Sequence, residues 1–153
     1  YDELDGTLSN RGSHLRGMLK RLRLPYTHIQ HQDLLWKDSL EMTEHDRQMI
    51  LLAVQNFLPQ KLPIIILHGT DTMEVTAKYL YDNLGDVPAP IILTGAMKPF
   101  GFEDSDALQN FTESLYAAAL ADPGVYISMH NMLWQMPGVR KNRKLGTFEK
   151  AAG

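Results

Sequence analysis

Runs of large apolar residues that stop at polar or small residues predict the strands of this chain. Residues 64–67 are four consecutive large apolar residues, three of them β-branched, and predict a strand buried on both faces. Residues 91–94 repeat this pattern. Residues 124–130 alternate more between apolar and polar side chains, which favours a third strand nearer an edge of the sheet. After Pro25, residues 26–29 indicate a further short strand.

Apolar residues at helical spacing separate these strands. Thr43, with Asp46 three residues later, is typical of a capping box, and Pro59 prevents the helix that follows from continuing. Further helices are predicted over residues 13–20, over residues 73–83 and from residue 104 onward. This alternation favours an α/β fold in three αβα layers, with a mostly parallel sheet between the helices. Because no repeat or domain boundary is visible, we expect residues 1–153 to form a single domain.

Two segments lack a buried pattern. Residues 1–12 are polar and rich in Gly, Ser, Asn and Asp, which predicts a mobile loop. Residues 131–153 are predicted to form a loop-rich tail that carries several basic side chains. The basic residues between positions 16 and 23 favour a solvated helix face, because a nucleic-acid patch would need aromatic neighbours that are missing there.

Composition narrows the classes of function. A formal net charge of −3 gives no overall attraction to nucleic acid or anionic membranes, and no apolar run approaches the roughly 20 residues of a membrane span. The chain has no cysteine, which excludes thiolate chemistry and fits a cytoplasmic location. The six histidines lack the spacing of a metal site, and glycine-rich phosphate loops are absent, so we expect neither a metal nor a cofactor.

Polar residues fall at predicted strand ends or in the loops that follow them: Asp38 and Ser39, Thr70 and Asp71, and Lys141. One interpretation is that Thr70 and Asp71 cap a helix and that Lys141 is a solvated lysine. The other is nucleophilic acyl transfer. A lysine with a lowered pKa can take the proton of a threonine hydroxyl, and a neighbouring carboxylate can hold that lysine in place.

The segment His68-Gly-Thr-Asp-Thr-Met-Glu-Val-Thr-Ala77 resembles the second signature of the bacterial-type L-asparaginases. Four other segments are similar to that family and occur in its order, and the similarity runs from about residue 12 to the C-terminus. These segments are residues 38–43, 93–99, 104–107 and 139–141. The resemblance implies the fold of the family's N-terminal domain. It also implies hydrolysis of the side-chain amide of asparagine to aspartate and ammonia through a threonine nucleophile.

The resemblance also assigns roles to single residues. Thr70 matches the family's second catalytic threonine, and Asp71 and Lys141 match its activating partners. A further set matches positions that bind the substrate, with Asp71 also holding the α-amino group and Ser39 the α-carboxylate. This set consists of Asp38, Ser39, Gly69 and Ala96. Kinship further implies a small-molecule amide substrate and a homodimer or higher homo-oligomer.

Three departures from the family pattern affect these expectations. Leu40 stands where many members carry a polar side chain that touches the substrate, and the family's C-terminal domain has no counterpart. The family's first threonine, in a Thr-Gly-Gly-Thr-Ile segment, is also missing. Thr7, in Asp5-Gly-Thr-Leu-Ser9, matches this segment only in part and has no preceding strand. We therefore expect Thr7 to be a loop residue, and we expect the first strand and its threonine, which the resemblance implies is the nucleophile, upstream of Tyr1. These departures keep open a second hypothesis, a non-catalytic amino-acid-binding or interaction domain that retains the fold.

Overall fold

A four-stranded mixed sheet forms the centre of the protein. The computed structural model describes residues 13–152. The strands stand in the order β1-β2-β3-β4; β1, β2 and β3 run parallel, and β4 is antiparallel to β3. They are β1 (Ile64–Leu67), β2 (Pro90–Thr94), β3 (Gly124–Met129) and β4 (Met132–Gln135).

Helices cover both faces of this sheet. The helices are α1 (Ser13–Arg21), α2 (Glu44–Phe57), α3 (Met73–Leu84) and α4 (Ala107–Leu120). Helices α2 and α3 pack with the larger core cluster, which includes Leu93 and Ile127, whereas α1 and α4 pack with Ile65 on the other face. This arrangement confirms the predicted three-layer α/β fold with a mostly parallel sheet. No helix of the described residues is long and apolar enough to cross a membrane.

Two predictions about the strands are wrong. β3 lies between β2 and β4 instead of near an edge, and its residues after Gly124 are buried. β1 is covered on both faces, by the larger core cluster at Ile64 and Ile66 and by the smaller one at Ile65, but it is only partly buried. Its isoleucines are half-buried, and Leu67 is 42% exposed. β2, with a neighbour on each side, is buried along its whole length.

The predicted loop-rich tail contains three strands, so that prediction is also wrong. His130 and Asn131 both have positive φ angles and form the two-residue turn between β3 and β4. Further along, β5 (Val139–Asn142) and β6 (Thr147–Lys150) pair as a separate hairpin. Val139 and Phe148 are buried in the larger core cluster, which attaches this hairpin to the body of the protein.

The short strand predicted at residues 26–29 is absent, since this stretch has no regular secondary structure and no described strand lies beside it. A strand needs a hydrogen-bonding neighbour, so an apolar alternation alone does not create one. The mobile loop predicted over residues 1–12, including Thr7, lies outside the described residues.

The predicted capping box at the start of α2 is confirmed. The Thr43 hydroxyl accepts a hydrogen bond from the Asp46 backbone N–H, and the Asp46 carboxylate accepts one from the Thr43 backbone N–H. Lys37 adds an ion pair to the same carboxylate at 2.8 Å. The hydrogen bond from Lys37, followed by that from the Thr43 backbone, lowers the pKa of Asp46 from 3.8 to about 2.

We predict that Asp46 makes the fold acid-sensitive within a defined pH range. Because its folded-state pKa is lowered, the ionised carboxylate stabilises the fold above pH 3.8, and this contribution is lost as the pH falls towards about 2. Urea unfolding between pH 6 and pH 2, two pH values chosen to bracket that range, measures the loss. Asp46→Asn should lower stability at pH 6 and flatten the profile. Asp86→Asn, at an exposed carboxylate, is the control, and equal slopes for Asp46→Asn and the wild type would contradict the prediction.

Candidate active site

The site lies at the carboxyl ends of β1 and β2, where two loops meet. The His68 backbone N–H donates to the Thr94 carbonyl at 2.9 Å and continues the strand pairing by one residue. Beyond it the loops approach so closely that a Cβ atom on Gly95 would stand 2.1 Å from the His68 carbonyl oxygen. Glycine is therefore required at Gly95 for the two strand ends to meet.

The chain after β1 forms a short 3-10 helix, Thr70–Thr72, which leads directly into α3. Neither Gly69 nor Thr72, the residues at the two cap positions, makes a side-chain cap hydrogen bond. The Thr72 hydroxyl donates instead to the Ser39 carbonyl at 2.7 Å. The capping interpretation of Thr70 and Asp71 is therefore wrong.

Lys141, on β5, brings the distant parts of the site together. Its Nζ lies 2.9 Å from Thr70 Oγ1 and 2.8 Å from Asp71 Oδ1, across about 70 residues of sequence. The Lys141 side chain is only 10% exposed, and Thr70 is buried. Glu74, in the first turn of α3, accepts the Lys141 backbone N–H and holds β5 beside it. The alternative of a solvated Lys141 is wrong.

Asp71 forms an ion pair with a second cation, Arg143, which the sequence analysis did not assign to the site. Arg143 Nη1 lies 2.8 Å from Asp71 Oδ1, the same oxygen that Lys141 contacts. The hydrogen bonds from Lys141 first, and then from Arg143, hold the pKa of Asp71 below its ordinary value, so the carboxylate stays ionised. Arg143 lies in the turn directly after β5, and because the tail was predicted to be a loop, its closeness to Lys141 was missed.

The segment before α2 forms another wall of the site. The Asp38 carboxylate accepts the Leu40 backbone N–H at 2.9 Å and caps the short 3-10 helix Ser39–Glu41. Ser39 is buried, and its side chain lies so close to Gly69 that a Cβ there would come within 2.7 Å of Ser39 Oγ. Leu40 points outward and is 67% exposed.

Asp106 fixes the loop that contains Ala96. Its two carboxylate oxygens each accept a backbone N–H at 3.0 Å, one from Met97 and one from Lys98. Asn110 Nδ2 bridges the Gly95 carbonyl and the Asp106 carboxylate. Ala96 thus follows a glycine that touches the His68 backbone, which places its peptide at the same sheet edge as Thr70.

His130 completes this second network. Its Nε2 lies 2.6 Å from Asp106 Oδ2, and its Nδ1 lies 2.7 Å from Thr147 Oγ1 on β6. Burial raises the pKa of Asp106, but the N–H donors of Lys98 and Met97 and the contact with His130 outweigh it, so the pKa is lowered. Sequence reasoning did not assign His130 a role; its place in the turn after β3 was the available signal.

The arrangement suits transfer of an acyl group. It contains a buried hydroxyl, an amine at hydrogen-bonding distance from it, and a carboxylate that orients the amine. Among residues 13–152, no group of three or more His, Asp or Glu side chains is gathered in a way that could hold a metal ion. The structure thus brings Thr70, Asp71 and Lys141 together, with Ser39 and Gly69 packed beside them.

The family model for the N-terminal domain of asparaginase matches residues 5–151 of this chain. The chain belongs to the asparaginase family. It is 32% identical over 118 residues to the L-asparaginase of Thermococcus kodakarensis and 36% identical over 130 residues to that of Dirofilaria immitis. These alignments cover 77% and 83% of this chain, but only 36% and 22% of the two relatives.

A solved structure extends the asparaginase likeness to three dimensions. The thermostable L-asparaginase from Thermococcus kodakarensis matches with a TM-score of 0.82 and 26% sequence identity. The match covers 91% of this chain and 43% of that one. The chain therefore spans less than half the length of the relatives to which it is similar.

We predict that Gly69→Ala destabilises this asparaginase-family domain through contact with Ser39. The φ and ψ angles of Gly69, −62° and 144°, suit any residue, so the effect comes from crowding and not from backbone strain. Overpacking of this kind costs about 1–3 kcal/mol, partly offset by about 0.4–1 kcal/mol from the stiffer unfolded chain. Urea unfolding gives the change in the free energy of unfolding.

Ser39→Gly supplies the matched test, because it removes the two side-chain atoms that a Cβ on Gly69 would meet at 2.7 and 2.8 Å. The double variant Ser39→Gly/Gly69→Ala should be more stable than the sum of the single effects implies. Strict additivity, or a Gly69→Ala variant as stable as the wild type, would refute the proposed contact.

Proposed function

We propose that this protein is an amidohydrolase of the L-asparaginase type that converts the side-chain amide of L-asparagine to L-aspartate and ammonia. The single observation that carries the proposal is the contact of Lys141 Nζ with both Thr70 Oγ1 and Asp71 Oδ1. A buried amine between a hydroxyl and a carboxylate is an arrangement that activates a hydroxyl nucleophile. The family membership of the chain supports the same activity.

In the proposed reaction, the neutral form of Lys141 accepts the proton of the Thr70 hydroxyl. The Thr70 oxygen then attacks the side-chain carbonyl carbon of asparagine, and the C–N bond of the resulting tetrahedral intermediate breaks. The nitrogen leaves as ammonia after taking up the proton from Lys141, and water hydrolyses the aspartyl ester. Asp71 orients Lys141 and stabilises its ammonium form, and backbone N–H groups at Gly69 or Ala96 stabilise the oxyanion.

We propose substrate-binding roles for the surrounding residues. Ser39, at the start of the capped turn formed with Asp38, holds the α-carboxylate together with the Gly69 segment. Asp71 holds the α-ammonium group, and Ala96 contacts the side-chain amide through its backbone. The first catalytic threonine expected upstream of Tyr1, and the role of Thr7, stay predictions.

The setting of the activity is also a proposal. We infer a single domain over residues 1–153 that acts in the cytoplasm as a homodimer or higher homo-oligomer. The kinship with asparaginases supports this inference. The proposed reaction needs no cofactor and no metal, because the hydroxyl, the amine and the carboxylate supply the proton transfers.

We predict that amide hydrolysis depends on Thr70 and Lys141. Thr70→Val removes the hydroxyl and keeps the side-chain volume, and Lys141→Met removes the amine and keeps most of the chain length. Lys141→Met should lower kcat for ammonia release from asparagine by about 100-fold to 10,000-fold, the usual contribution of a positioned proton-transfer group. Thr70→Val, which removes the proposed nucleophile, should lower it at least as much. Glutamine is assayed in parallel to rank the two amides.

Lys144→Met is the matched control, because Lys144 is an exposed lysine on the same hairpin. It should leave ammonia release unchanged. Wild-type rates in both Thr70→Val and Lys141→Met would show that the roles are misassigned. Calorimetry with aspartate distinguishes the second hypothesis, since tight binding without turnover identifies a non-catalytic amino-acid-binding domain.

A further inference from the structure

A buried arginine, Arg47, lies behind the site. Arg47, on α2, is 9% exposed, and among residues 13–152 it forms no ion pair. Its guanidinium instead donates to two neutral acceptors: Nε to Thr76 Oγ1 at 3.1 Å, and Nη1 to the Met42 carbonyl at 3.3 Å. A buried charge whose described partners are all neutral is costly, so its position calls for an explanation beyond packing.

Thr76 links Arg47 to His68 by accepting a hydrogen bond from the first and donating one to the second. Thr76 lies on α3 and is completely buried, and its hydroxyl contacts both Arg47 Nε and His68 Nε2, the latter at 2.8 Å. A guanidinium only donates, so the single hydroxyl proton of Thr76 is directed to the histidine. His68 Nε2 therefore accepts a hydrogen bond and carries no proton.

The other ring nitrogen of His68 faces the catalytic segment. Nδ1 lies 2.6 Å from the carbonyl oxygen of Gly69, and a carbonyl oxygen only accepts. The proton therefore sits on Nδ1, and His68 is neutral. The order of donors is unbroken from the Arg47 guanidinium through the Thr76 hydroxyl and the His68 ring to the Gly69 carbonyl.

We propose that Arg47, Thr76 and His68 form a positioning relay that holds the peptide between Gly69 and Thr70 in its active orientation. The relay keeps His68 neutral, with its proton on the nitrogen that faces the Gly69 carbonyl. Gly69 needs this restraint because glycine has the freest backbone and no side chain caps the short helix that begins after it. The consequence for catalysis rests on the proposed amidohydrolase function; the hydrogen-bond pattern does not.

The burial of His68 and the charge of Arg47 also favour the neutral form of the His68 ring. Burial lowers the pKa of His68 below its ordinary value; the hydrogen bond to Gly69 opposes the shift, and the positive charge of Arg47 adds to it. An imidazolium would donate from Nε2 as well, and the buried Thr76 hydroxyl would then lose Nε2 as the acceptor of its proton. Arg47 thus acts on Thr70 at a distance, without touching the substrate.

The test is nitrogen-15 NMR of the histidine rings in the full chain, with the His68 signals assigned by their loss in His68→Gln. Long-range proton–nitrogen correlations report which ring nitrogen carries the proton. The variants are Arg47→Met, which removes the donor, and the pair Thr76→Val and Thr76→Ser, which differ in the hydroxyl. Gln48→Met, at an exposed position on the same helix, is the control.

The wild type, Thr76→Ser and Gln48→Met should show a single His68 form with the proton on Nδ1. In Arg47→Met the Thr76 hydroxyl loses the donor that orients it, so its hydrogen bond to His68 Nε2 should weaken and the Nε2 signal should move part of the way to the position of a nitrogen without a hydrogen bond. In Thr76→Val the Nε2 signal should move to the position of a nitrogen without a hydrogen bond. In both, the Thr70 amide should shift and exchange faster, and amide hydrolysis should fall about 10-fold to 100-fold.

Unchanged His68 and Thr70 signals in folded Arg47→Met or folded Thr76→Val would overturn the relay. Either variant alone is sufficient, so failure of one to fold leaves the other as the test. Changed His68 signals with unchanged Thr70 signals would overturn the positioning role. If the wild type releases no ammonia, the proposed function fails, and the NMR signals still decide the relay.

Discussion

The pairing of Lys141 with Asp71 is the interaction on which the site depends. Removing an ammonium group from water costs several kcal/mol unless an anion and hydrogen-bond acceptors surround it. Asp71 and the Thr70 hydroxyl supply both, but they lie about 70 residues away in sequence. The β5–β6 hairpin must therefore dock beside the start of α3 before the pair can form. Val139 and Phe148 provide the apolar part of this docking, and the ion pair fixes the position that non-directional apolar contacts leave free.

The sequence predicted those elements whose apolar pattern is continuous and whose neighbours follow at short range. The strands at residues 64–67 and 91–94, and the capped helix α2, belong to this class. The strand β4 escaped prediction because the turn before it, at His130 and Asn131, contains no glycine or proline, although both residues adopt the left-handed conformation that such a turn requires. The burial of β1 and β3 was misjudged because it is not a local property of the sequence. The exposure of a strand depends on its neighbours in the sheet, and neighbours are a property of the whole fold.

The residues of the candidate site were also predictable only in part. Thr70 and Asp71 stand next to each other at the end of a strand, so local pattern is enough to single them out, whereas Lys141 was one of several basic residues in the tail and was matched to its role by family resemblance. Arg47 and Asp106 act through contacts with other segments, Arg47 at Thr76 and Asp106 at His130. No local pattern reports such partners. The two networks nevertheless have one purpose: each places directional hydrogen bonds behind a loop whose glycine is needed for close approach, and each removes the freedom that the glycine introduces.

The two cations on Asp71 differ in how readily they leave, and this difference bears on how the proposed substrate binds. Arg143 is 65% exposed, and an exposed ion pair is worth about 0–1 kcal/mol. Lys141 is 10% exposed and would lose its anion in a poorly solvated place, which costs about 3–5 kcal/mol. In the proposed binding mode, we therefore expect an incoming α-ammonium group to displace Arg143 and to leave Lys141 in position beside Thr70. In that binding mode, Arg143 keeps the carboxylate paired and ionised until the substrate arrives, and the exchange of one cation for the other leaves the total charge around Asp71 unchanged.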